Sequence, residues 1–315
     1  MRSWRARTLD DGKLLGETVV VVTVTWLLLG WAYDRAFAQA DATITWIPYL
    51  REQLAAGPAW TDHLYRFGVL GGSALHDAGG TLPLVQVCAA LGIGPTWTAN
   101  LITLFEQITI GFFGVQIVLG LVGAWGAPPP TRGQRVAVIW ATAFAPYLAW
   151  RLAYGHDNLV LGLLPFVVAA GLVARARSEL PSPLALAFGA WAVWNGLSAL
   201  GAQLVVYGIV FGGPLLACLA LEGTARPRWG RAQLAIALAL AAAALLVLPR
   251  LAGMLARFGG DDFPRADHLA YSFGVPDLGD WLASLPWTAA GASASAMAVH
   301  ESNVPIGPLA LLLLA

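Results

Sequence analysis

Residues 184–221 form a run of 38 residues without a single Asp, Glu, Lys or Arg, and this run limits the fold more tightly than any other feature. A helix crosses the roughly 30 Å hydrocarbon core of a bilayer in about 20 residues. The run is therefore too long for one crossing and right for two, with a turn expected near residues 195–198. Apolar runs at 17–33, 101–125, 136–150, 159–174 and 233–249 predict further spans, and 305–315 begins another. Of all residues 58% are hydrophobic and 11% charged, against about 25% charged in a soluble domain. The expected fold class is an all-α polytopic membrane protein with about 7–8 transmembrane helices and two long extracytoplasmic loops.

The chain reads as one transmembrane domain over 1–315, with a cytoplasmic N-terminus at 1–16 and outer loops at 34–81 and 251–304. Within 34–81, ITWIPYLREQLAA predicts a short helix, and a short interfacial or re-entrant piece is expected at 82–92, before GIGP breaks the run. The basic start before an apolar core also resembles a signal peptide, but no small-residue cleavage site closes the run cleanly. AFAQA at 36–40, the nearest one, lies beyond Tyr33, Asp34 and Arg35.

Charge fixes the orientation. Eleven of the 18 Lys and Arg fall in the N-terminus and in the loops at 127–135, 175–183 and 222–232, which share one side if the spans alternate. By the positive-inside rule that side is cytoplasmic. All five histidines and twelve of the 18 acids fall on the other. A net charge of zero gives no basic field for nucleic acid. The expected partner is the lipid bilayer, and the titratable chemistry faces outward.

Asp34 and Asp41 follow the first span, seven residues apart, a spacing that puts both on one face of a continued helix. A carboxylate half-shielded at a membrane exit is raised toward a pKa at which it takes a proton from a hydroxyl. The plain alternative is a pair of solvated loop acids. Trp46 and Trp60 anchor headgroups or offer apolar ring faces to a sugar. His156 and Asp157 lie in the outward turn GHDN, where Asp157 or Asn158 also serves to cap the next helix. Arg250 and Arg257 flank the outer end of a span against the positive-inside pattern, so they pair with lipid phosphates, either bulk headgroups or a specific donor's. His300 and Glu301 end the second outer loop as an adjacent acid/base or ligand pair. Glu106, inside a span, marks a helix interface or cavity. Cys88 and Cys218 lie far apart in apolar surroundings, so they read as core residues rather than as a disulfide or metal pair. The motifs GxxxxGK[ST], HExxH, GxSxG and CxxC are absent.

Three pieces together resemble the GT-C class of membrane glycosyltransferases, in particular its bacterial YfhO-like branch. They are Asp41 followed by Trp46, Pro48, Gly57, Pro58 and Trp60, with Gly71 and Gly72 beyond; the GHDN turn leading to LLPF at 163–166; and Glu301 before Pro305 and Gly307. The resemblance implies transfer of a sugar from a polyprenyl-phosphate donor to an envelope glycan, lipid or protein acceptor on the extracytoplasmic face of a bacterial inner membrane. It implies Asp41 as the base, with Asp34 the weaker match, and a phosphate-binding role for Arg250 or Arg257. Family members that chelate a divalent metal use paired acids in the first loop. Here the acids stand seven apart, so no cofactor is expected, and a divalent metal stays open only as the alternative. The resemblance also implies spans beyond residue 315, so a chain cut inside its eighth span is expected. Two other functions stay open: a transporter or flippase of a lipid-linked or envelope precursor, and a non-catalytic scaffold of the same fold. Inverted repeats and polar groups at midplane favour a transporter, whereas here only Glu106 is charged away from the ends of a span.

Overall fold

The computed structural model describes residues 4–28, 47–55, 82–145, 148 and 157–199. All elements among the described residues are helical. In chain order they are α1 (Trp4–Leu28), α2 (Ile47–Ala55), α3 (Pro83–Ala90), α4 (Pro95–Ala124), α5 (Arg132–Ala143), α6 (Asp157–Ala176) and α7 (Pro183–Ala199).

Local sequence sets the helix ends. Pro83, Pro95 and Pro183 open α3, α4 and α7, where a fixed φ suits the first turn and the missing N–H is not needed. Thr131 opens α5 with a capping box: its Oγ1 accepts from the Gln134 amide and its own amide donates to Gln134 Oε1 at 2.8 Å. α3 and α4 both close on glycine in the left-handed region, Gly92 at φ 67° and Gly126 at φ 71°. In each case the next two amides turn back onto the helix. Gly92 N and Ile93 N donate to the carbonyls of Ala89 and Cys88, and Gly126 N and Ala127 N to those of Gly123 and Val122.

α4 runs for 30 residues and is the one helix among the described residues long and apolar enough to cross a membrane. It is also the centre of the packing, in contact with α6 over most of its length and with α5 and α1 on its other sides. Small residues let the backbones close in. A Cβ on Gly120 would run into the Ala174 backbone, and Gly171 leaves room for the ring of Phe113. Phe188 of α7 seals the centre, edge-on to Phe105 at 6.1 Å and to Phe112 at 5.5 Å, and stacked on Phe113 at 6.0 Å.

Side-chain contacts give the helix directions. Asp11 meets Gln116, Gly12 faces Leu184, Glu17 holds Arg132 and Arg135, and Gly120 touches Ala174. One end of the bundle therefore gathers the starts of α1, α5 and α7 with the ends of α4 and α6. The far end gathers α3, the start of α4 and the end of α7, where Leu84 N donates to Asn195 Oδ1 at 2.9 Å. The helices alternate up and down.

Two expectations are corrected. The first helix begins at Trp4, thirteen residues ahead of its apolar run, because Asp11 and Leu14 are buried against the bundle rather than solvated. The turn expected at 195–198 is helix instead. Asn195 is consumed within it, its Nδ2 donating to Trp191 O at 3.0 Å while its Oδ1 reaches α3.

Candidate functional site

Buried polar residues collect in two places. At the end that gathers the starts of α1 and α5, Gln116 Nε2 donates to Asp11 Oδ1 at 2.8 Å with both residues buried. Nearby, the two carboxylate oxygens of Glu17 each take one guanidinium Nε, from Arg132 and Arg135, both at 3.0 Å. Glu17 is 12% exposed and Arg132 83%, so the Arg132 bond is largely solvated and structurally minor. Arg135, further buried, also donates to Pro130 O at 3.1 Å and ties the loop to α1. This cluster holds the loop end together, and its carboxylates are occupied.

The second group lies toward the far end. Asn100, Thr103 and Gln107 follow the i, i+3, i+7 spacing of one helix face on α4, and all three are buried. Glu106, beside them, is 0% exposed. Gln86 on α3 and Asn195 and Ser198 on α7 are buried as well. Thr103 and Thr109 satisfy their hydroxyls locally, donating to the carbonyls four residues back. The amides of Gln86 and Gln107 have no hydrogen-bond partner for either nitrogen or oxygen among the described residues. Cys88, on the same short helix as Gln86, is buried, and that burial pushes its thiol pKa up while a hydrogen bond with Thr98 partly offsets the shift. It is a poor nucleophile at neutral pH.

Of the residues singled out from sequence, Asp157 is the first residue of α6. Asp34, Asp41, Trp46, Trp60, His156, Arg250, Arg257, His300 and Glu301 lie outside the described residues. Glu106 sits in the interior with none of its surface exposed. Gln86, Gln107 and Asn195 interrupt apolar runs without carrying charge. For Gln107 the signal is the helical spacing it shares with Asn100 and Thr103. Among the described residues no three of His, Cys, Asp and Glu gather around a point that would hold a metal ion.

The chain matches no protein-family model, and no curated protein or solved structure matches it.

Proposed function

We propose that this chain is a polytopic inner-membrane glycosyltransferase with about 7–8 spans and a cytoplasmic N-terminus. It transfers a sugar from a polyprenyl-phosphate carrier to an envelope acceptor on the extracytoplasmic face. The observation that carries this reading is the alternation of helix directions. The segment with Asp34, Asp41, Trp46 and Trp60 joins α1 to α3, and the segment with His156 leads into α6. By those directions the end of α1 and the starts of α3 and α6 share one end of the bundle, opposite Arg132, Arg135 and Arg175. Two exposed tryptophans, Trp97 and Trp125, flank α4, 28 residues apart in sequence. At 1.5 Å per residue that is roughly 42 Å, the thickness of a bilayer with its headgroup regions. Tryptophan belongs at both interfaces.

In the proposed reaction Asp41 takes the proton of the acceptor hydroxyl as the oxygen attacks the anomeric carbon from the face opposite the carrier. The bond to the carrier phosphate breaks with inversion. Arg250 and Arg257 hold the charge left on the phosphate. Trp46 and Trp60 hold the sugar ring, and His156, Asp157, His300 and Glu301 surround it. The Asp41→Asn change keeps shape and removes the base. Transfer of labelled sugar in membranes should fall by about 100- to 10,000-fold, with the amount of folded protein unchanged. Retained transfer removes Asp41 from the mechanism.

The buried polar stripe on α4 favours a second reading, a transporter or flippase of a lipid-linked precursor. Uptake into vesicles that depends on Glu106 and not on Asp41 would decide for it.

A further inference from the structure

Gln107 lies near the middle of α4, the helix that meets the demands of a membrane span, and none of its surface is exposed. Gln86 on α3 is 1% exposed. Neither amide finds a hydrogen-bond partner among the described residues, for nitrogen or for oxygen. An amide sealed in an apolar interior without partners is destabilising, and two such side chains in one small bundle need a physical reason. Their neighbours show that the sequence has a ready alternative. Thr103 and Thr109 on the same helix discharge their hydroxyls onto the carbonyls of Ala99 and Phe105.

The contacts set the two amides at nearly one depth. Phe188 of α7 meets Phe105 and Phe112, so α7 at residue 188 is level with that stretch of α4. α7 runs antiparallel to α4, and Asn195, seven residues on, is level with the region of Ile102. Asn195 Oδ1 takes the Leu84 amide, which brings Gln86, two residues further, to the same depth. Gln86 and Gln107 therefore lie within roughly 10 Å of each other along the bundle axis. Buried Asn100 and Thr103 occupy the turns between.

We propose that the interior where α2, α3 and α4 meet holds a hydrated pocket that admits small neutral solutes and binds their hydroxyl or amide groups at Gln86 and Gln107. Water fills it otherwise, since a polar site with several donors and acceptors retains water where an apolar one stays dry. Each amide offers donors and an acceptor together, which matches neutral groups of the same double character rather than an ion. The pocket stands whether or not the glycosyltransferase reading holds.

Iodoacetamide, a small neutral amide, is the probe. In the full chain in native membranes, with Cys88→Ala and Cys218→Ala as background, Gln107→Cys and Gln86→Cys are alkylated and compared with Ile110→Cys, a buried apolar position on α4. Both should react at least about ten-fold faster than Ile110→Cys, since a thiol's reactivity follows its access to water. Normalised to free cysteine, the charged analogue iodoacetate should lag behind. Equal rates at Gln107→Cys and Ile110→Cys overturn the pocket, and parity between the two reagents overturns its neutral preference. Should the cysteine variants fail to fold, Gln107→Leu and Gln86→Leu give an independent reading. Leucine relieves a dry unpartnered amide and raises Tm, whereas it deprives a hydrated site of its hydrogen bonds and lowers Tm. A Tm at or above the parent's overturns the proposal.

Discussion

Asn195 does at one position what a capping residue does locally, from 111 residues away. The first amides of a helix have no partner within it, and no side chain next to Leu82 caps α3. Asn195 Oδ1 supplies the missing acceptor to Leu84 N, while its own Nδ2 is held by Trp191 O. Asn195→Ala leaves that half-buried amide unpaired, at a cost of about 1–2 kcal/mol. Faster hydrogen exchange confined to the first turn of α3, with α4 unchanged, is the expected result. Uniform acceleration would assign Asn195 to general stability instead. This role was not legible in the sequence, because an uncharged Asn between apolar residues reads equally as a turn. What decides between the two readings is a contact with a helix distant in the chain. Glu106 was legible for the opposite reason: a carboxylate in the middle of a long apolar run is expected to face away from lipid if that run crosses a membrane, and Glu106 is fully buried.

For the helices, small residues determine which neighbours come close. α4 and α6 approach at Gly120, where any Cβ would meet the carbonyl group of Ala174 and the amide of Arg175. These atoms belong to a helix backbone and cannot step aside as a side-chain tip can. Gly120→Ala should cost about 1–3 kcal/mol through overpacking. Gly16 on α1, where an added Cβ meets nothing within 4 Å, is the matched control, and Gly16→Ala should gain up to about 1 kcal/mol from helix propensity. Thermal unfolding of the two variants in detergent should move in opposite directions, and a common direction would mean that the approach at Gly120 is not tight. Helix existence was legible from hydropathy, and helix ends were less so. α4 starts at Pro95 rather than near 101 because Thr98 and Asn100 are buried polar residues that depress local hydropathy without interrupting the helix. α1 starts early because Asp11 is matched by Gln116, a pairing that no window along one segment can register.

For the molecule as a whole, the alternation of apolar runs along the sequence and the three-dimensional contacts give the same grouping of segments. The N-terminus and the loops at 127–135 and 175–183 share one side if the apolar runs alternate in direction. The contacts of Glu17 with Arg132 and Arg135, and of Gly120 with Ala174, bring those same three segments to one end. The candidate site was legible only as short motifs in loops. A few polar residues without periodicity leave no pattern from which distance can be inferred, and nearly all of them lie outside the described residues. The helix directions nevertheless make a sharp test. Arg5, Arg132 and Ser178 are exposed at the arginine-rich end, and Leu91 is exposed at the other. If α4 crosses the bilayer, a membrane-impermeant maleimide added to intact spheroplasts should label Leu91→Cys and spare Arg5→Cys, Arg132→Cys and Ser178→Cys until the membrane is opened. The positive-inside rule sets the sign, because the end richer in arginine stays in the cytoplasm. Labelling of all four from outside would mean that α4, for all its length, does not separate two compartments, and the membrane topology would fall with it. The reverse pattern would keep the span and invert the protein, moving the segment that carries Asp41 to the cytoplasmic face and away from a donor presented outside.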